Sequence, residues 1–304
     1  MPERLDIVWD DFTEEFRAAG PAARWAYSAA GPHIADDGEV ATGMGELHVV
    51  SRPFTRTIAP GDALPGTLDH VKWLAYTSHT GSAGVPGFDA PPGLELAFET
   101  SFTGRTHGTG AHPFGDAVLP DDLRLAAVAF NAFDPETFLV FDFFLTNTRI
   151  YAFYERLPFA REALGEYAAF SYAVPLAPRS PGDRHLLKIA YDRTAGVVRW
   201  LIEGDEVFRV SRLGYHLPGR EHLVLDHSGT ESVAEPRQLN AGLGIFTLLD
   251  ATGPDGGPGA VRISTDEGFY PAAQRFLDPA SKESSRLFGQ GAEFSAGPVR
   301  ITRS

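Results

Sequence analysis

Cysteine is absent from the 304 residues, which excludes disulfides, thiol nucleophiles and cysteine metal sites. That suits a reducing compartment, although many secreted bacterial proteins also lack cysteine. Lysine is nearly as scarce: Lys72, Lys188 and Lys282 are the only lysines among 26 basic residues. With abundant alanine, glycine and proline, this points to a GC-rich genome and says nothing about chemistry. Positive charge is in deficit, and a formal net charge of −14 argues against nucleic acid or an anionic membrane as the main partner. No apolar run reaches membrane-spanning length. The opening MPERLDIVWDDF lacks a basic start followed by an apolar stretch, so no signal peptide is expected and a cytoplasmic location is.

What the chain does have is apolar and aromatic weight: 43% hydrophobic, 12% aromatic and 22 Phe, enough for a large core with bulky inward side chains. The densest stretch is Glu136 to Phe159. Two β-branched and aromatic runs, about 137–145 and 149–156, flank the polar break Thr146-Asn147-Thr148 and read as an antiparallel hairpin. Alternation puts Leu139, Phe141, Phe143 and Leu145 on one face and Phe138, Val140, Asp142 and Phe144 on the other. The first row is wholly apolar and is assigned to the core. Asp142 then lies opposite, and Arg149, Tyr151 and Glu155 are placed with it, because a core face does not hold Arg and Glu without partners.

The rest of the chain reads as strands and turns. Expected strands are 4–12, a hairpin within 37–51, 69–78 (His70, Lys72 and Tyr76 sharing the ligand side), 94–104, 123–130, 168–175, 184–192, a hairpin of 197–202 and 206–210, 239–249, and 259–264 as the last core strand. A late strand near 297–302 is expected in a mixed tail. Residues 159–166 are the best helical candidate. Long loops at 77–93 and 105–122 read as lids or binding loops. Recurrent turn signals, no long amphipathic helix and no repeat predict one domain over 1–304, mostly antiparallel β, as two stacked sheets with a core at about 35–264 and an extension at 265–304.

Several stretches in order resemble the concanavalin-A-like jelly roll of legume lectins, laminin-G-type modules and bacterial β-glucanases. They are DGEVATGMGELHVVS, LELAFETSFTG, RHLLKIAYDRTAGVVRWLIEGDEVFRV and LNAGLGIFTLLD. In the third, Trp200, Gly204 and Val207 follow the W-x-x-D-G-x-x-V hairpin of those families. The whole chain also resembles a bacterial family with no assigned activity. The resemblance implies an all-β, two-sheet antiparallel jelly-roll sandwich with short helical insertions. It does not carry over the glucanase chemistry. Retaining glucanases of that fold place E-x-D-x-x-E on the strand matching 137–145, and here only the central Asp142 is present, with Val140 and Leu145 at the glutamate positions.

The residues leave Asp142 two readings: a buried structural carboxylate tied to a neighbouring strand, or a ligand-facing group of raised pKa with Arg149, Tyr151 or Lys72 as partners. His70, His79, His107 and His112 fall on or beside loops expected to rim the concave face, where histidine can act as general base. His107 and His112, five apart on a loop, suit a metal only with an added carboxylate, and no metal site is expected. No glycine-rich phosphate loop follows a strand and opens a helix, so no cofactor is expected. The sequence therefore points to a cofactor-independent acid/base enzyme on a small organic molecule, of lyase, cyclase or isomerase type. Asp142, His112, His107 and Glu155 would be catalytic, and His70, Lys72, Tyr76, His79, Arg149 and Tyr151 ligand-binding. The alternatives are a carbohydrate-binding module or atypical glycoside-active protein, and a partner-binding domain with a filled cleft.

Overall fold

The computed structural model describes residues 3–60, 67–253 and 255–304. Two nine-stranded antiparallel sheets face each other, forming the expected jelly-roll sandwich. The first runs Asp205–Val210, Val197–Ile202, His185–Asp192, Glu95–His107, Gly291–Ala296, Glu46–Ser51 and Glu39–Gly43, with Leu5–Asp10 joined to it through Val299–Arg303. The second runs Leu223–Asp226, Phe170–Pro178, Arg149–Arg156, Leu139–Leu145, Ala126–Phe133, Gln238–Thr247, Val71–Thr77 and Trp25–Tyr27, with Phe88–Asp89 beside Gln238–Thr247.

The hairpin singled out in the sequence is central in the second sheet. Its unbroken register pairs Val140 with Glu155 and Asp142 with Phe153. Leu139, Phe141, Phe143 and Leu145 all belong to the core between the sheets, with Phe98, Ile189, Trp200 and Phe294 among the residues contributed from the opposite side. The indole N–H of Trp200 crosses that core to donate to the backbone carbonyl of Asp142 at 2.8 Å, tying the two sheets at the site strand. The turn after Trp200 has positive φ at Glu203 and Gly204, the two-residue hairpin geometry whose twist matches its strands.

Several boundaries differ from expectation. The 69–78 strand starts at Val71, because Thr67–His70 forms a 3-10 turn; His70 therefore lies off the strand. The Glu95–His107 strand runs three residues past the expected end and absorbs His107. Residues 259–261 do not join a large sheet: they pair in parallel with Phe276–Asp278. The tail is not peripheral, since Gly291–Ala296 lies between Glu95–His107 and Glu46–Ser51. Helix is confined to short turns, including Pro158–Ala160 and Arg161–Leu164 where the helical candidate was read. Among the described residues no helix is long and apolar enough to cross a membrane.

Candidate functional site

The face of the second sheet turned away from the core carries the polar groups. One ladder row crosses it as Tyr76, Gly242, Asn131, Asp142, Phe153 and Ala173. The next row holds Asn240, Phe133, Val140, Glu155 and Ser171. Glu155 is thus diagonal to Asp142 on the adjacent strand, a relation that separates Cβ atoms by roughly 7–8 Å.

Asp142 and Asn131 are 3% and 1% exposed, and Asp142 Oδ1 and Asn131 Oδ1 have no hydrogen-bond partner. Burial drives the Asp142 pKa well above the ordinary carboxylate value, and the nearby Glu155 charge adds to the rise. The Asn131 amide tempers the shift without satisfying Oδ1. Burial also raises Glu155, to about 7, against the opposing hydrogen bond from Ser171.

A second polar chain reaches this face from the covering segments. His70 Nε2 lies 2.7 Å from Asp250 Oδ1, and the Tyr270 hydroxyl donates to Asp250 Oδ2 at 2.6 Å. That hydroxyl in turn accepts the backbone N–H groups of Ile263 and Ser264 at 3.3 and 3.2 Å. Burial opposes protonation of His70, but the charge and hydrogen bond of Asp250 outweigh it, with lesser help from Asp69 and Glu155, and the pKa rises. A neutral His70 donating from Nε2 to Asp250 presents Nδ1 as its basic atom. Tyr76 is partly exposed, and its pKa is pushed well up by burial and then by Asp142 and Glu155. A file of rings, Tyr76, Phe133, Phe138 and Phe159, with successive centroids 5.6–6.0 Å apart, forms an aromatic lip beside the row.

Toward the other end of the face a cavity of about 850 Å³ is bounded by Arg149, Tyr151, Arg220, His222, Leu223 and Thr252, among others. Arg149 is exposed, whereas Arg220 pairs with Asp226 at 3.0 Å. The Tyr151 pKa is raised to about 12, mainly by burial. Asp121, another wall residue, is engaged by the 146–148 turn, accepting from the hydroxyls and N–H groups there.

The remaining sequence candidates are dispersed. His107 alternates with the core-facing Phe98 and Phe102, lies on the outer face of the first sheet and sits 3.4 Å from Glu293. His79 bonds the Gly87 carbonyl at 2.8 Å and stacks on Phe88 with centroids 4.1 Å apart, at the margin of the between-sheet core. His112 accepts from the Phe114 N–H and packs on Phe114 and Phe288 beside a small apolar cluster. Lys72 has the expected side of its strand, but its ammonium is spent on Asp69 at 3.3 Å and the Arg56 carbonyl at 3.1 Å. The structure thus brings Asp142, Glu155, Tyr76 and His70 toward one face and leaves His79 and His107 away from it. The sequence reading missed Asn131, Ser171, Asp250 and Tyr270. Only the alternation of 126–133, read one strand further, could have flagged Asn131. Among the described residues no group of three or more His, Asp or Glu has metal-holding geometry.

Comparison with known proteins places the chain in a family. An uncharacterized protein of Acanthamoeba polyphaga mimivirus is 30% identical over 305 residues, a match spanning 81% of this chain and 66% of that protein. The chain therefore spans just under two thirds of that relative's length. Among solved structures, an alginate lyase of polysaccharide lyase family 7 is similar at a TM-score of 0.44 and 8% identity, covering 87% of this chain and 83% of that one. A prokaryotic β-1,3-1,4-glucanase (lichenase) derived from a mouse hindgut metagenome is similar at 0.43 and 12%, covering 98% of each. Likeness at this level carries nothing about what this chain binds or does. The family model, in contrast, matches residues 9–304, and the chain belongs to the Family of unknown function (DUF6081).

Proposed function

We propose that this protein is an acid/base enzyme acting on a small organic molecule at the outward face of the second sheet. Glu155 and Asp142 supply the proton-transfer groups, and Asp250 orients His70 as a further base. The observation that carries the reading is the Asp142–Glu155 pair. Two carboxyls of raised pKa stand diagonally on adjacent strands, and Glu155, at about 7, is poised to give or take a proton near neutral pH. The chemistry is of lyase, cyclase or isomerase type, and the protein's own groups are sufficient for it.

The same pair supports a second reading, a carbohydrate-active protein that draws its two carboxyls from neighbouring strands instead of one. The cavity at the other end of the same face, with arginine, histidine and tyrosine in its walls, would then seat a polar ligand. Solvent exchange tests the primary reading without knowledge of the product. Carbonyl compounds and neutral and uronic oligosaccharides are incubated in D2O and followed by NMR. The wild-type protein is expected to exchange or convert at least one of them, and Glu155→Gln and His70→Asn to lose that turnover while remaining folded. Binding without exchange or conversion, or equal turnover in Glu155→Gln, overturns the proposal.

A further inference from the structure

The polar row continues past the carboxyl pair. Tyr76, Asn131 and Asp142 come from three strands and occupy one ladder row, separated only by Gly242. Gly242 is what allows the row to close up: a Cβ there would lie 2.7 Å from Tyr76 Cδ1 and Cε1, so the tyrosine ring lies across the glycine toward Asn131. Asn131 and Asp142 are almost wholly buried, each with an oxygen that nothing in the described protein satisfies. The Tyr76 side chain is partly exposed. Solvent reaches the row past Tyr76, Phe133 and Glu155, the partly exposed members, and the aromatic lip flanks that entrance.

We propose that Tyr76 and Asp142 in its acid form are hydrogen-bond donors to one oxygen, and that the substrate is a carbonyl compound with an apolar or aromatic body. This rests on the proton-transfer role given to Glu155 above and adds the substrate class. The body lies against Phe133 and Phe138, and the carbonyl oxygen points to the donor row. Glu155 removes a proton from the carbon next to the carbonyl. The C–H bond breaks, its electron pair forms a C=C bond, and the carbonyl π pair moves onto oxygen as an enolate. Returning the proton to carbon completes an isomerisation or exchange with no other reactant consumed. Donors already aimed at the oxygen in a water-poor site stabilise the charge where it develops, which is the largest contribution such sites make. The alternative for Asp142, a nucleophile or base, needs its ionised form beside Glu155, which their mutual repulsion opposes.

The probe is 4-nitrophenol, whose phenolate mimics an enolate oxygen on an aromatic body and is not turned over. The expected result is saturable binding, seen by absorbance, with the bound phenol ionising at lower pH than the free one. Tyr76→Phe should weaken phenolate binding about tenfold. Asp142→Asn, which keeps an N–H donor, should retain binding within a few-fold, while Asp142→Ala loses it. Should the alanine variant not fold, the two near-isosteric variants decide. No binding by the wild-type protein, an unshifted ionisation, or a Tyr76→Phe affinity equal to wild type overturns the proposal. Since the probe needs no proton transfer, 4-nitrophenol binding with no turnover in D2O refutes the enzyme reading alone, and turnover lost in Glu155→Gln without probe binding refutes the donor row alone.

Discussion

Replacing Glu155 with glutamine should make the protein more stable at alkaline pH, and the size of the gain follows from its surroundings. Burial raises the pKa of Glu155 from the ordinary 4.5 to about 7. A carboxyl whose folded-state pKa is raised holds its proton more tightly in the native state than in the unfolded one. Its contribution is therefore fully present below the unfolded value and is lost as pH rises through the folded value. Each unit corresponds to about 1.4 kcal/mol, so the wild-type protein should lose on the order of 3 kcal/mol between pH 4.5 and somewhat above 7 from this group. Glutamine does not titrate, and its amide oxygen still accepts the Ser171 hydroxyl that now bonds Glu155. The two proteins should match near pH 4.5, with Glu155→Gln the more stable by about 3 kcal/mol at pH 8. Asp142 and His70 titrate in both, so the difference isolates the single site apart from their coupling to it. Urea unfolding followed by tryptophan fluorescence at several pH values, with the slope m checked for constancy, measures it. Parallel profiles, or a variant less stable at pH 8, would mean that Glu155 is ionised and held by partners, and the proton-transfer assignment would fall with its premise.

Three further outcomes follow from the same contacts. Tyr270→Phe should cost about 1–3 kcal/mol, because Asp250 Oδ2 and the N–H groups of Ile263 and Ser264 lose their shared partner, and should impair turnover through His70; urea unfolding and kinetics read the two effects. Lys72→Met should destabilise by about 3 kcal/mol, since among the described residues Asp69 keeps only the more distant Arg286 at 3.5 Å as a charged partner; a change within 0.5 kcal/mol would contradict the ion-pair account. Trp200→Phe should cost about 3 kcal/mol by combining a lost bond to the Asp142 carbonyl with a void in the core, and thermal unfolding should show it as a lowered Tm.

What the sequence made legible was local and periodic. Side chains alternate strictly along a strand, so one apolar row in 139–145 was enough to put Asp142 and Glu155 on the outward face and the phenylalanines in the core. The same rule failed where a boundary moved. His107 was read as a loop residue because the 95–107 strand was ended at Gly104; with the strand continued, alternation sends its ring to the far side of the molecule. His70 was read as a strand residue but lies in a 3-10 turn, and that turn lets it reach Asp250, 180 positions away. Nothing local marks such a partner. Gly291–Ala296 was missed for the opposite reason: six residues carry too little pattern to reveal a strand, yet pairing on both edges makes it central.

The two carboxylates Asp134 and Asp142, eight positions apart, separate a structural acid from a candidate functional one. Both are buried, at 0% and 3% exposure. Asp134 accepts from the N–H groups of Glu136 and Thr137, from the Thr137 hydroxyl and from the Gln238 amide, the pattern of a carboxylate that organises a turn. Asp142 has less of this: the Asn131 amide and the Ala132 N–H offset its burial only in part, one oxygen is buried without a partner, and the Asn131 oxygen is in the same condition. Each such acceptor costs about 1–3 kcal/mol, whereas an apolar row flanked by Ala129, Phe144 and Phe153 would cost nothing comparable. Fold stability alone would favour a hydrophobic residue at position 142. The unmet hydrogen bonds instead lie beside the partly exposed Tyr76 and Glu155, where an incoming group can meet them.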